Sequence, residues 1–549
     1  MREPSEALVE QLRERWPAAC ERWSEFLLLS EPVHEDEVSI ARIHLGTRQV
    51  GVNLNNLAEK GLEHCLEALL AHEIGHHVRY PGSMAVHARL HVMERGLMPI
   101  EGYSVINLFT DLMINETLGE HYADRFCEVY RAHTPADAAA RDPAFLFYMA
   151  VYEELWQQPR GALMGPAAAD FEARFPDARA RAQLMSQDLF HLGPNLYTQF
   201  LFFLSVITQY IQPPERELPE NVDAMQCDHG APGDDDWARA LSPNALEREA
   251  IRRALAEGWI RKDQAEGLSE LERRVFSLPG QGTADASRVP DIMAAWYRQQ
   301  AERYLVRPPP QPSMGEGVVA TTLEDWEPGD PMRDIDWLTT LLQRGDVLGA
   351  AAPVRRQRIA EVEGWEVPLW QPRLELYLDV SGSMPDPRRT RNAMTLASQI
   401  LAVGALRAGG RVRALMYSHE YVRYWTWGRS EVEISRFLMH YVGGGTRYPF
   451  EVLADSIEAS GARQPIRVII TDTDFDHNYD QSPDHPRAFA DAASRAPLLL
   501  LQHGAIPERV RRYRQDGARV ITIHQMEDFP RLAADLARAL FPAGRKTST

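Results

Sequence analysis

Between Gln371 and the C-terminus, short apolar runs alternate with stretches of helical periodicity: LELYLDV, then Thr390 to Leu406, then VRALMYS, then a helix from Glu431, then IRVIITD, APLLLL and RVITIH. Runs this short and this apolar read as strands buried on both faces. Strands of that kind separated by helices form a parallel sheet with helices on either side. Residues 371–549 are therefore expected to fold as a doubly wound α/β domain, and no internal repeat is visible.

The whole chain has 549 residues, too many for one core, so several domains are expected. From Met1 to about Tyr130 a helix is followed by strand candidates at Ser39 to His44 and Gln49 to Leu54, parted by Gly46, and then by more helices. That pattern suits a small α+β domain over residues 1–135. Residues 136–306 read as mainly helical, with an acidic, Gly/Pro-bearing loop at 219–236. A linker at 307–325 opens on RPPPQPSMGEG, where consecutive prolines favour extended backbone, and a short segment at 326–370 leads to the sheet.

The longest apolar run, Tyr197 to Ile211, carries Thr, Gln and Ser and is shorter than the roughly 20 residues that span a bilayer. It reads as a buried helix. A net charge of −19 disfavours nucleic acid or an anionic membrane as partner. The four cysteines are scattered without a CxxC pair, and the charged N-terminus MREPSEALVEQLRERW lacks a signal-peptide core. A cytoplasmic location is the expectation.

Oxygen-bearing side chains fall at the predicted strand ends. LELYLDV runs into SGSM, giving Asp379, Ser381 and Ser383; the run Gly443 to Gly445 leads to Thr446; IRVIITD ends at Asp472. Carboxylates and hydroxyls without His or Cys make a hard site that suits Mg²⁺. The pattern DxSxS, then Thr, then Asp resembles the metal-ion-dependent adhesion site of von Willebrand factor A domains, matched at all five positions. The resemblance implies that the cation's open position accepts an Asp or Glu from another protein. Just upstream, WEPGDPMRDIDW (Trp326 to Trp337) resembles the PGD-xx-R-x-IDW signature of bacterial proteins associated with MoxR-type AAA+ ATPases. Read from its residues, Pro328-Gly329-Asp330 is a turn that Ile335 and Trp337 would pin to the sheet.

A second metal pattern lies in GLEHCLEALLAHEIGHHV, Gly61 to Val78, whose leucines recur at helical spacing. His72 and His76 stand one turn apart on one face, so both imidazoles can bind one zinc, and Glu73 can act as general base. Strand candidates precede the helix, as in zincins, where an edge strand lines the cleft. A catalytic zinc needs a third protein ligand and an open fourth position.

The next long helix offers Asp111 with Asn115, or Glu120 with Asp124 in an ExxxD pair resembling the third-ligand motif of gluzincins. At roughly 100° per residue, Asp111 and Glu120 face opposite ways unless Gly119 breaks the helix. Asp111, flanked by apolar residues, is preferred, with Asn115 orienting a histidine; Glu120 is the alternative. HEIGHH followed by NLFTDLMIN is similar to the HExxH-then-DxxxN metallopeptidase-like domains that occur with von Willebrand A domains in bacteria. His77 extends the motif, which leaves open which histidines turn inward.

These features favour a zinc metallopeptidase fused to a Mg²⁺-dependent binding domain that recruits a substrate or an AAA+ partner. The competing reading is a non-enzymatic adaptor or co-chaperone of a MoxR-type ATPase with a structural N-terminal metal. The chain carries no GxxxxGK[ST] loop of its own.

Overall fold

The structure is a computed structural model that describes residues 4–98, 104–133, 142–211, 231–278, 288–305, 320–327, 330, 332, 335–337, 339–340, 353–358 and 371–541. The chain divides into two units: residues 1–299 with 382–395 and 435–441, and residues 300–381 with 396–434 and 442–549.

In the first unit, strands β1 (Val33–His34), β2 (Ala41–His44) and β3 (Gln49–Val52) form a sheet in the order β1-β3-β2. β2 runs antiparallel to β3 and ends the sheet as an edge; β1, too short to be seen in the sequence pattern, lies parallel to β3. Asn53 then caps the helix Leu54–Lys60 through its side chain, and Gly61, at φ +67°, ends it. The HExxH helix follows at Leu66–Val78, then Met84–Leu97, Ile106–His133 and Pro143–Leu155.

A single hydrophobic core runs from Leu12 to Leu268 and draws on helices either side of residue 135. The boundary expected at 135/136 therefore does not coincide with a break in packing. The physical reason lies in PAFLFYMAVYEEL, Pro143–Leu155, which is buried from Ala144 to Glu153 and must be enclosed all round. Leu196–Ile207 is likewise a buried helix, as its composition suggests. Among the described residues no helix is long and apolar enough to cross a membrane. The acidic loop lies outside the described residues as far as 230. Its last acids, Asp234 to Asp236, instead form the first turn of the helix Asp234–Ala240, where negative charge meets the unsatisfied N–H groups.

The second unit holds a six-stranded sheet: β6 (Arg373–Asp379), β7 (Arg411–Tyr417), β8 (Tyr421–Gly428), β9 (Ile466–Thr471), β10 (Leu498–His503) and β11 (Arg519–Ile523). The order is β11-β10-β9-β6-β7-β8, parallel throughout except for β8. The sheet is thus a mixed α/β sheet. Its antiparallel edge, YVRYWTWG, is absent from the expected strands because it is largely exposed and lacks their continuous apolar character. From β6 the chain proceeds outward through β7 and β8, then returns to lay β9 on the other side of β6. The topological switch point therefore falls between β6 and β9.

Two shorter strands, β4 (Ala320–Asp325) and β5 (Val354–Arg358), pair antiparallel. The end of the expected linker is therefore a strand; residues 307–319 lie outside the described residues. Within the PGD segment, Asp330 accepts the Glu327 N–H at 3.0 Å and pairs with Arg355 at 2.7 Å, while the Trp326 indole donates to the Asp330 carbonyl at 3.1 Å. Asp336 caps Thr339 N–H at 3.0 Å, and its own N–H donates to the Val354 carbonyl at 2.8 Å. Asp330 and Asp336 thus fasten the segment to β5. Ile335 bridges to Arg355, but Trp337 is 47% exposed and does not pin the turn as expected.

Candidate metal centres

The HExxH helix is buried almost end to end, and its phase turns His72 and His76 into the core, both at 0% exposure. Ile106–His133 is one unbroken helix, so Gly119 does not interrupt it. Asp111 accordingly faces the two histidines from a buried position, while Glu120 and Asp124 are exposed. His77 is only half-buried and does not join the cluster.

Nε2 of His72 and Nε2 of His76 lie 3.2 Å apart, and Oδ1 of Asp111 lies 3.6 Å from the first and 3.2 Å from the second. Tetrahedral ligands about 2.0–2.1 Å from zinc are separated by roughly 3.3 Å, so this triangle has the edge lengths of three zinc ligands. The proton inventory agrees. His76 Nδ1 sits 2.8 Å from the Tyr80 carbonyl, which only accepts, so Nδ1 carries that proton. His72 Nδ1 lies 2.7 Å from Asn115 Oδ1, and the Asn115 amide donates to Tyr152 at 2.8 Å and Tyr130 at 3.1 Å, which fixes its oxygen toward the histidine. Both Nε2 atoms of the neutral rings then present lone pairs, as does Asp111 Oδ1. Converging lone pairs repel unless a cation lies between them, so the donor set fits zinc.

Without a cation the same crowding shows in the acid–base balance. Burial opposes a charge on His72, but the Asp111 carboxylate outweighs it and raises the imidazole to about 8. Burial likewise works against the Asp111 carboxylate, yet hydrogen bonds to His72 and His76 hold it below its ordinary range. Glu73 is buried beside His72, near enough for its charge to add to that rise. Among the described residues no fourth His, Cys, Asp or Glu joins the cluster.

The supporting tyrosines were not foreseen. Tyr148 and Tyr152, one turn apart on Pro143–Leu155, share a hydrogen bond at 2.8 Å, and Tyr130 meets Tyr152 at 3.3 Å. They hold Asn115, which holds His72. Only their helical i, i+4 spacing was available in the sequence, and that spacing reads equally well as core.

Gly75 explains itself by contact. A Cβ there would come within 2.6 Å of the Trp23 ring and 2.8 Å of Ile114, and the Trp23 indole donates to the Ala71 carbonyl at 2.7 Å. Ala is normally about 1 kcal/mol better than Gly inside a helix. Gly75→Ala should instead lower the thermal unfolding temperature of the chain, by the equivalent of about 1–3 kcal/mol for an overpacked core. An unchanged or raised melting temperature would contradict this packing.

In the second unit, Asp379 ends β6 and Asp472 follows β9, so the two carboxylates flank the switch point where α/β sheets bind ligands. Asp379 Oδ1 accepts the Ser381 N–H at 3.0 Å, and Oδ2 accepts from Thr471 at 3.0 Å. Asp472 Oδ1 accepts the Asp474 N–H at 2.9 Å, and Asp474 in turn receives the Thr446 hydroxyl at 3.3 Å. Thr471 and Asp474 are the partners that the motif alone does not name. Ser383 belongs to residues 382–395, in the first unit.

Thr446 is placed by its glycines. Gly443 and Gly444 adopt φ +70° and +82°, and a Cβ on Gly444 would lie 2.5 Å from His419. The buried Ser418 hydroxyl fastens the turn by donating to the carbonyls of Gly443 and Gly445. Burial first, with the neighbouring Asp472 carboxylate adding to it, pushes Asp379 up to about 6 against its hydrogen bonds from Ser381 and Thr471. Two buried, mutually repelling carboxylates among hydroxyls fit a hard divalent cation.

No protein-family model matches the chain, and no curated protein does. Among solved structures, similarity extends to a von Willebrand factor type A protein from Catenulispora acidiphila, at 14% identity and a TM-score of 0.24, over 30% of this chain and 42% of that one. An aerotolerance-related membrane protein from Bacteroides fragilis NCTC 9343 is similar at 10% identity and a TM-score of 0.23, over 31% of this chain and 99% of that one.

Proposed function

We propose that the chain is a zinc-dependent metallopeptidase whose C-terminal α/β unit is a von Willebrand factor A-like, Mg²⁺-dependent protein-binding domain. The observation that carries this reading is the convergence of His72 Nε2, His76 Nε2 and Asp111 Oδ1 at 3.2–3.6 Å, all three side chains being buried. Zinc held there would polarise the scissile carbonyl and ease deprotonation of the attacking water. Glu73 takes that proton and returns it to the leaving amine. Asn115 and the Tyr80 carbonyl keep both imidazoles in the ligating tautomer. β2, at one edge of its sheet, would offer an extended peptide a strand to pair with.

Glu73→Gln should retain zinc yet lose hydrolysis of a peptide mixture by on the order of 10²–10⁴-fold, measured by mass spectrometry of the products. Wild-type product formation by this variant would end the peptidase reading and leave the adaptor reading in place.

In the second unit, Asp379, Ser381, Thr446 and Asp472 would hold Mg²⁺, and the cation's open position would take a carboxylate from a protein substrate or a MoxR-type AAA+ ATPase. Mg²⁺ at a hundred times its Kd stabilises the unit that binds it by about 2.7 kcal/mol. Calorimetry of the full chain should therefore show its second transition moving up by several degrees with Mg²⁺, and Asp379→Ala should abolish the shift. A transition indifferent to Mg²⁺ in the wild type would refute the site.

A further inference from the structure

His64 and Cys65 lie in the turn Glu63–Cys65 that leads into the HExxH helix, and Glu128 lies on Ile106–His133, well beyond Asp111. None of these three side chains belongs to the buried group of His72, His76 and Asp111, so the two clusters share no ligand. His64 Nε2 is hydrogen-bonded to Glu128 Oε2, and the Cys65 thiol approaches the Arg125 carbonyl at 3.8 Å. The ligating atoms of the three side chains all lie within 4.8 Å of one another.

We propose that His64, Cys65 and Glu128 form a second, independent site for a thiophilic divalent cation of the zinc class, which clips the turn before the HExxH helix to the helix that carries Asp111. Imidazole, thiolate and carboxylate are the three protein ligands zinc uses, and a thiolate selects against Mg²⁺ and Ca²⁺. On ligation Cys65 releases its proton to solvent, and His64 binds through Nε2 in its Nδ1-protonated form. Arg125 donates to Glu128 Oε1 at 3.2 Å, which leaves Oε2 for the metal. His64 is 44% and Glu128 37% exposed, so the ion can enter from solvent and complete its coordination with water.

Co²⁺ added to the full chain in excess Mg²⁺ tests this. The centre at His72, His76 and Asp111 contains no sulfur, so a thiolate-to-cobalt charge-transfer band that Cys65→Ser removes reports the second site and none of the other cysteines. The wild type should show the band. Glu128→Gln and His64→Asn, both at partly exposed side chains, should weaken Co²⁺ binding as read by that band about tenfold or more, and Asp111→Ala should leave the band in place. A wild-type chain without the band, or a band undiminished in both Glu128→Gln and His64→Asn, would overturn the proposal whatever the fate of the peptidase reading.

Discussion

Asp111→Ala is expected to lose zinc from the buried centre, with affinity lowered by more than the 10–100-fold typical of a supporting residue, whereas Glu120→Ala should bind zinc as the wild type does. The asymmetry follows from position on one helix. Asp111 stands 3.2 Å from His76 Nε2 at 1% exposure, while Glu120 faces solvent. Two imidazoles without the carboxylate leave zinc with half of its tetrahedral shell from the protein. Hydrolysis of peptide substrates should fall in step with zinc occupancy. Metal analysis of both purified variants, with circular dichroism to show that the helices persist, checks the pair. Zinc retained in Asp111→Ala and lost in Glu120→Ala would reverse the ligand assignment.

Glu375→Gln should destabilise the second unit by about 3–5 kcal/mol, the cost of leaving a buried charge without its partner. Glu375 and Arg467 are both at 0% exposure, and Arg413 is at 5%. The carboxylate accepts from Arg413 Nε at 2.6 Å, from Arg467 Nε at 3.3 Å, and from Ser456 at 2.8 and 2.9 Å, as well as from the Tyr377 hydroxyl. Trp425 and Trp427 cover Arg413, with its guanidinium carbon 4.3 and 4.5 Å from their ring centres. One carboxylate thus serves two guanidiniums inside the sheet, and a neutral amide cannot. At about 2–4 °C per kcal/mol for a unit of this size, the second calorimetric transition should drop by roughly 10 °C. A drop under two degrees would show that the guanidiniums are satisfied by other groups.

Both candidate metal centres could be read from the sequence because their side chains sit at positions that local periodicity fixes. His72 and His76 share a helix face by being four residues apart, and the choice of Asp111 over Glu120 follows from helix phase alone. Asp379 and Asp472 end predicted strands, and the switch point then places those ends side by side. What escaped was tertiary. Nothing local says that Tyr152 would reach Asn115, or that the helix bearing it belongs to the same core as the HExxH helix. β1 has two residues and β8 is an exposed edge, so neither carries the apolar run that betrays a buried strand. Trp337 was expected, with Ile335, to pin the turn to the sheet, but Asp330 and Asp336 fasten that segment through polar contacts instead.

Anomalous diffraction at the zinc edge from crystals of the chain loaded with one equivalent of zinc tests the central claim most directly. A peak is expected about 2.0–2.1 Å from Nε2 of His72, Nε2 of His76 and Oδ1 of Asp111, with the fourth position free of protein. The absence of a peak there, or a fourth protein ligand closing the site, would contradict it.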